Sequence, residues 1–197
     1  MARLVRILLI LALVSGCSFS TPTRFASDYF PIGVGMNWKF QADSLEKYIY
    51  VDNEEDSIFH MVIDGIPYDI KREFDGIYNL RDEIITYGGD RIDFGVVKEL
   101  YLPLPFVSGD SLRDTLRFKE FYSGDTIDLY LSISITVRYG GALSLPYGDV
   151  RDTYHVRREF IRNGDTTLVD EWYAPNLGLV KRKEGEEIWV LTEFSSP

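Results

Sequence analysis

The residues able to do chemistry are few and scattered. Cys17 is the only cysteine among 197 residues, so it can close no disulfide within the chain. The two histidines, His60 and His155, stand within SIFHMVI and DTYHVRREF, apart from any metal-ligand spacing. The acidic cluster Asp52, Glu54, Glu55 and Asp56 lacks the glycine and bidentate glutamate of a calcium loop, and reads as a solvated hairpin tip. Asp93-Phe94-Gly95 spells a kinase triplet with no phosphate loop or catalytic loop beside it, and Ser144 lacks a nucleophile-elbow context. A carboxylate pair for glycoside hydrolysis is conceivable in a chain with 31 acidic residues, but nothing singles out a pair. The aromatics remain: Trp38, Trp189, and Trp172 with Tyr173 in EWYAPNLGLVKRK. A tryptophan near a strand end in a small all-β protein is usually a core anchor that buries about 200 Å². Neighbours on a strand face opposite ways, so Trp172 is expected inward and Tyr173 outward, where Tyr173 is the one candidate for ligand or partner contact. No catalytic residue, cofactor or metal ligand is expected.

Cys17 has a context of its own. MARLVRILLILALVSGC carries Arg3 and Arg6, an apolar run and small residues before the cysteine, which is the pattern of a secretion signal. The run is far shorter than the roughly 20 residues of a membrane span. Val14-Ser15-Gly16-Cys17 resembles a bacterial lipobox, which implies removal of residues 1–16 and lipidation of Cys17. Stable anchoring takes two membrane signals, and lipoproteins of this type carry more than one chain. Ser18 after the cysteine implies, in the same resemblance, sorting to the outer membrane. Residues 17–28 then read as a lipidated cysteine and flexible tether, and 29–197 as one domain. Loss of Arg3 and Arg6 takes the formal charge from −10 to about −12, the wrong sign for a phosphate backbone, so nucleic acid is not an expected partner.

The elements that must position these residues are strands. In DTIDLYLSISITVRYGG, Ile127, Leu129, Leu131, Ile133, Ile135 and Val137 alternate with polar residues, as in a strand with one buried face. Asp64-Gly65, Asp75-Gly76, Gly88-Gly89, Gly109-Asp110, Gly124-Asp125 and Asn163-Gly164 punctuate the rest at hairpin intervals. The segment 110–121 has Leu112 and Leu116 at helical spacing, but its alternation and its neighbours assign it to a strand. The expected fold is all-β: about ten to twelve strands in one strongly curved antiparallel meander, as an open or partial barrel or two packed layers, with almost no helix after the signal peptide. A membrane barrel is disfavoured by the lipobox, by charges on both faces of YDIKREF and by the lack of aromatic girdles.

Four stretches resemble a family of uncharacterised β-rich bacterial lipoproteins: YFPIGVGMNWKF, LYLPLPFVSGDSL, LPYGDVRDTYHV, and EWYAPNLGLVKRK with EEIWVLTEF. The shared elements are FP-x-x-x-G-x-x-W, a G-D-S turn, P-x-G and W-Y-A-P-x-x-G-L-V; Met36 and Leu112 depart from the pattern. The resemblance implies an envelope location and no particular activity. By architecture alone the chain is similar to lipoprotein carriers and acceptors of the LolA and LolB kind, whose curved sheets hold acyl chains. The expected function is a membrane-anchored, non-catalytic binding or scaffolding module for an envelope protein or an apolar ligand. Its rivals are an acyl-chain or lipoprotein carrier, expected to hold an apolar pocket of several hundred Å³ with few buried charges, and a carboxylate-based hydrolase, expected to show two acids with separated pKa values.

Overall fold

The structure, a computed structural model, describes residues 29–122, 125–162 and 164–197, without the side chains at 85, 87, 118 and 120–122. The proposed signal peptide, Cys17 and the tether lie outside the described residues. Twelve strands follow one another: β1 (Asn37–Ala42), β2 (Leu45–Glu55), β3 (Ile58–Ile63), β4 (Ile66–Arg72), β5 (Gly76–Tyr87), β6 (Asp90–Pro103), β7 (Ser111–Tyr122), β8 (Asp125–Leu145), β9 (Gly148–Arg162), β10 (Asp165–Ala174), β11 (Gly178–Glu184) and β12 (Glu187–Ser195). Among the described residues there is no helix.

All twelve strands belong to one antiparallel sheet in the order β6-β5-β4-β3-β2-β1-β12-β11-β10-β9-β8-β7. Apart from β6 and β7, consecutive strands pair with each other, and β1 pairs with β12, which joins the first half of the meander to the second. A sheet this wide must curl, because strand twist accumulates. Here it closes nearly into a barrel with a single seam between β6 and β7. The β6–β7 connection spans that seam: the Leu104 amide donates to the Asp75 carbonyl and the Gly109 amide to the Val137 carbonyl, each at 2.9 Å. The expected curved meander is therefore a near-closed barrel rather than two packed layers.

The alternation seen in the sequence now has a direction. Ile127, Leu129, Leu131, Ile133, Ile135 and Val137 of β8 are all buried inside the barrel, and the segment 111–122 is β7, paired with β8 through Leu112↔Ile135 and Leu116↔Leu131. From β1, Trp38, Phe40 and Ala42 point inward, joined by Val51 (β2), Phe59 and Met61 (β3), Ile70 (β4), and Trp189 and Leu191 (β12). Trp38 and Trp189 are core anchors, as their positions suggested. Asp52 and Glu54–Asp56 are exposed around the β2–β3 reversal, the solvated tip that was expected. An aromatic plug fills part of the interior: Tyr29, Phe106 and Tyr154 pack with ring centroids 5.0–5.7 Å apart, and Phe30 lies 6.2 Å from Tyr101 and 6.3 Å from Tyr173.

Candidate functional site

Strand pairing decides the fate of Trp172 and Tyr173. In β10, Val169, Glu171 and Tyr173 share the inward face and are at most 2% exposed. Trp172 lies on the other face, opposite His155, and is only half-buried. This corrects the expected orientation. Tyr173 is no outward contact but a fully buried residue, while Trp172 stacks on His155 at 4.7 Å with Lys181 Nζ 4.7 Å from its ring. The physical reason is that the interior at this level is ionic, so the tyrosine hydroxyl has partners there that an indole could not replace.

Those partners form a network. Glu171 is wholly buried, and its carboxylate accepts from Arg158 Nη2 at 2.8 Å, Arg182 Nη1 at 3.0 Å, Tyr173 Oη at 2.8 Å and Tyr101 Oη at 3.2 Å. Four elements converge here: β6 brings Tyr101, β9 Arg158, β10 Glu171 and Tyr173, and β11 Arg182. Burial pushes the Glu171 carboxyl up, but Arg158 and Arg182, with the Tyr173 hydrogen bond, overcome it and hold the carboxyl below its ordinary value. Burial works against the charge of Arg158 and Arg182, and Glu171 overrides it in both, so they stay charged. Burial, then Glu171, raises the Tyr101 hydroxyl to about 12 and pushes Tyr173 well above its ordinary value. The Arg158 guanidinium also lies over the Tyr101 ring at 4.1 Å and the Phe160 ring at 5.1 Å.

A second set of charges comes from β5, β6 and β9. Arg81 Nη2 sits 2.8 Å from Glu99 Oε2, an ion pair without hydrogen-bond alignment, and 3.5 Å from Glu83 Oε2; Arg162 pairs with Glu83. Glu99, 2% exposed, is pushed up by burial in spite of Arg81 and Arg158. Four buried polar atoms find no hydrogen-bond partner among the described residues: Asn79 Oδ1, Arg81 Nε, Glu99 Oε2 and Arg158 Nε.

Two cavities adjoin this network. One, about 250 Å³, is walled by apolar side chains of β1–β4, β11 and β12, among them Trp38, Phe40, Ile49, Met61, Ile70 and Trp189, with the Lys47 ammonium over the Trp189 ring at 4.2 Å. The other, about 330 Å³, is walled by Asn79, Arg81, Glu99, Arg158, Phe160 and Arg162. Tyr68, Tyr101 and Arg182 belong to both walls, so the chambers are neighbours that share three side chains. Side-chain exposures of 35% for Arg81, 44% for Arg162 and 30% for Arg182 bring solvent to the polar chamber.

The histidines are not brought together. His60 Nδ1 lies 2.8 Å from Asp69 and His155 Nε2 lies 2.6 Å from Asp170, which also accepts two hydrogen bonds from Arg157. Among the described residues no group of three histidine, cysteine or acidic side chains is arranged to hold a metal ion, and no helix is long and apolar enough to cross a membrane. Sequence reasoning missed the ionic interior, although its signal was present. Val97-x-Glu99-x-Tyr101, Val156-x-Arg158-x-Phe160, Val169-x-Glu171-x-Tyr173 and Val180-x-Arg182 each place a charge in phase with apolar residues.

No protein-family model matches the chain, and no curated protein matches it. Among solved structures it is similar to a candidate lipoprotein of Parabacteroides distasonis ATCC 8503 (13% identity, TM-score 0.41, covering 83% of this chain and 96% of that one). It is also similar to a candidate exported protein with a YmcC-like fold from Bacteroides fragilis NCTC 9343 (13% identity, TM-score 0.35, 83% and 97%). A third likeness is to the hypothetical lipoprotein YmcC of Escherichia coli K12 (9% identity, TM-score 0.39, 82% and 85%).

Proposed function

We propose that this chain is an exported lipoprotein of the bacterial envelope, tethered through Cys17, whose barrel binds an apolar ligand without transforming it. The observation that carries this reading is the apolar chamber of about 250 Å³ inside the sheet. It exceeds the roughly 150 Å³ cavity that suffices for benzene and approaches the lower range of small-ligand sites. Each methylene moved from water into such a wall contributes about 0.8 kcal/mol, so an alkyl chain is retained without any charged contact. The acyl-chain carrier calls for a pocket of several hundred Å³ with few buried charges, whereas the apolar chamber measures about 250 Å³ and Glu99, Arg158 and Glu171 stand close by.

One observation favours the hydrolase: the carboxyls of Glu99 and Glu171 are pushed in opposite directions. The Glu171 oxygens, however, are taken up by two arginines and two tyrosines. A wholly buried carboxylate engaged by four donors serves as a counter-ion, so the binding reading stands ahead.

The test is native mass spectrometry of the chain from residue 18 onward, which retains every described residue, purified from an envelope extract. The expected result is a stoichiometric adduct of lipid mass, released by organic solvent. A bare protein mass, with no uptake of added fatty acid, would overturn the reading.

A further inference from the structure

The arginines of the polar chamber are all paired. Arg158 and Arg182 are matched by Glu171, Arg182 also by Glu184, Arg81 by Glu99 and Glu83, and Arg162 by Glu83. Every arginine of its wall therefore has an acidic partner and no cation is left over for a phosphate or sulfate; Asp165, the further acid of the wall, is exposed to solvent. What remains is directional. Arg81 Nε and Arg158 Nε are donors, Asn79 Oδ1 and Glu99 Oε2 are acceptors, and all four are buried with no hydrogen-bond partner among the described residues. Their residues all line this one chamber. Buried polar groups are costly unless hydrogen-bonded, so a fitting ligand must both donate and accept. A hydroxyl is the group that does both. Two donors and two acceptors with the Tyr68, Tyr101 and Phe160 rings in the same wall fit an uncharged ring bearing several hydroxyls.

We infer that the two chambers together bind one amphiphile, its alkyl chain between Trp38, Met61 and Trp189 and its uncharged, hydroxyl-rich headgroup between Asn79, Arg81, Glu99 and Arg158. The shared walls Tyr68, Tyr101 and Arg182 mark the junction of tail and head. The ligand class is a glycolipid-like molecule, and the site rests on the apolar-ligand reading above while adding the headgroup to it. Glu99 acts within this site as an acceptor held at short range by Arg81. Arg81 Nη2 stands 2.8 Å from its Oε2. Glu171 and Tyr173 are positioning residues, since they hold Arg158 and Arg182 in place from behind and line neither chamber.

Calorimetric titration of the chain from residue 18 onward with three probes of equal tail separates the possibilities: octyl glucoside, octylphosphocholine and octyl sulfate, each below its micelle concentration. The expected result is a preference for octyl glucoside of about tenfold over each charged head, a difference of about 1.4 kcal/mol. Equal affinities for all three would overturn the headgroup inference and leave the apolar-ligand reading intact; a preference for either charged head would overturn it as well. Absence of binding by all three would overturn both. In Asn79→Leu the glucoside preference is expected to fall severalfold while octyl sulfate binding is unchanged. A variant that keeps the full preference contradicts the assignment of Asn79, and the comparison of heads on the unaltered chain decides the proposal even if Asn79→Leu does not fold.

Discussion

At the scale of single residues, the interior is organised by Glu171. Removing one partner of a buried ion pair costs about 3–5 kcal/mol because a charge is left without compensation, and here Arg158 would be stranded and Arg182 left with Glu184 alone. Against a total stability of about 5–15 kcal/mol that is a large share. Glu171→Gln should therefore lower Tm by on the order of 10 °C at pH 7, read by circular dichroism. Tyr173→Phe removes one hydrogen bond to a charged group, worth about 1.5–3 kcal/mol, and leaves both arginine pairs, so its Tm should fall by less. The two buried acids also act oppositely on pH dependence. Glu171 has a lowered folded pKa, so its contribution is present above the unfolded carboxyl value and is lost as pH falls through the folded one. Glu99 has a raised folded pKa, so its contribution is complete below the unfolded value and is lost as pH rises through the folded one. Glu99→Gln should consequently gain on the unaltered chain in Tm from pH 4 to pH 8, and parallel Tm curves across that range would refute the burial of an acid with raised pKa.

At the scale of elements, the strands were legible where one face is apolar and obscure where it is ionic. The β8 alternation predicts both the strand and its buried face, because six apolar residues in phase leave no other reading. In β7 the helical spacing of Leu112 and Leu116 competes with alternation, and pairing with β8 decides for the strand. In β10 the same logic assigns Trp172 inward because tryptophan is the larger apolar residue. It fails because Val169, Glu171 and Tyr173 follow the parity that completes an internal ion network. That network joins Tyr101 of β6 to Glu171 of β10, a contact that exists only because the sheet closes, and no local pattern encodes closure. The reversal between β10 and β11 at Pro175–Leu177 matters for the apolar chamber. Gly178 has φ +77, a Cβ there would lie 3.4 Å from Pro31 Cδ, and Trp38 Nε1 donates to the Leu177 carbonyl at 2.6 Å. Gly178→Ala is expected to cost more than about 1 kcal/mol and to weaken the near-ultraviolet signal of Trp38. A change in neither Tm nor that signal would show the turn to be unimportant for the chamber wall.

At the scale of the whole molecule, the proposed anchor at Cys17 bears on what the cavity meets. If Cys17 carries the proposed anchor, the twelve residues from Cys17 to Asp28 would reach at most about 40 Å when extended, and the barrel would stay near the membrane surface, where amphiphiles are concentrated. Intact mass of the membrane form should show a lipidated Cys17, and Cys17→Ser should move the protein to the soluble fraction; an unmodified cysteine on a membrane-bound chain would contradict the anchor. The central claim is that the β1–β4, β11 and β12 side of the barrel takes up an apolar ligand. It is tested most directly by titrating the chain from residue 18 onward with N-phenyl-1-naphthylamine and following its fluorescence. Ile49 lines the chamber, and Ile49→Trp should fill it. The account predicts saturable enhancement in the unaltered chain, competition by a fatty acid, and loss of enhancement in Ile49→Trp at unchanged secondary structure. Enhancement that fails to saturate, or that persists undiminished in Ile49→Trp, would contradict it.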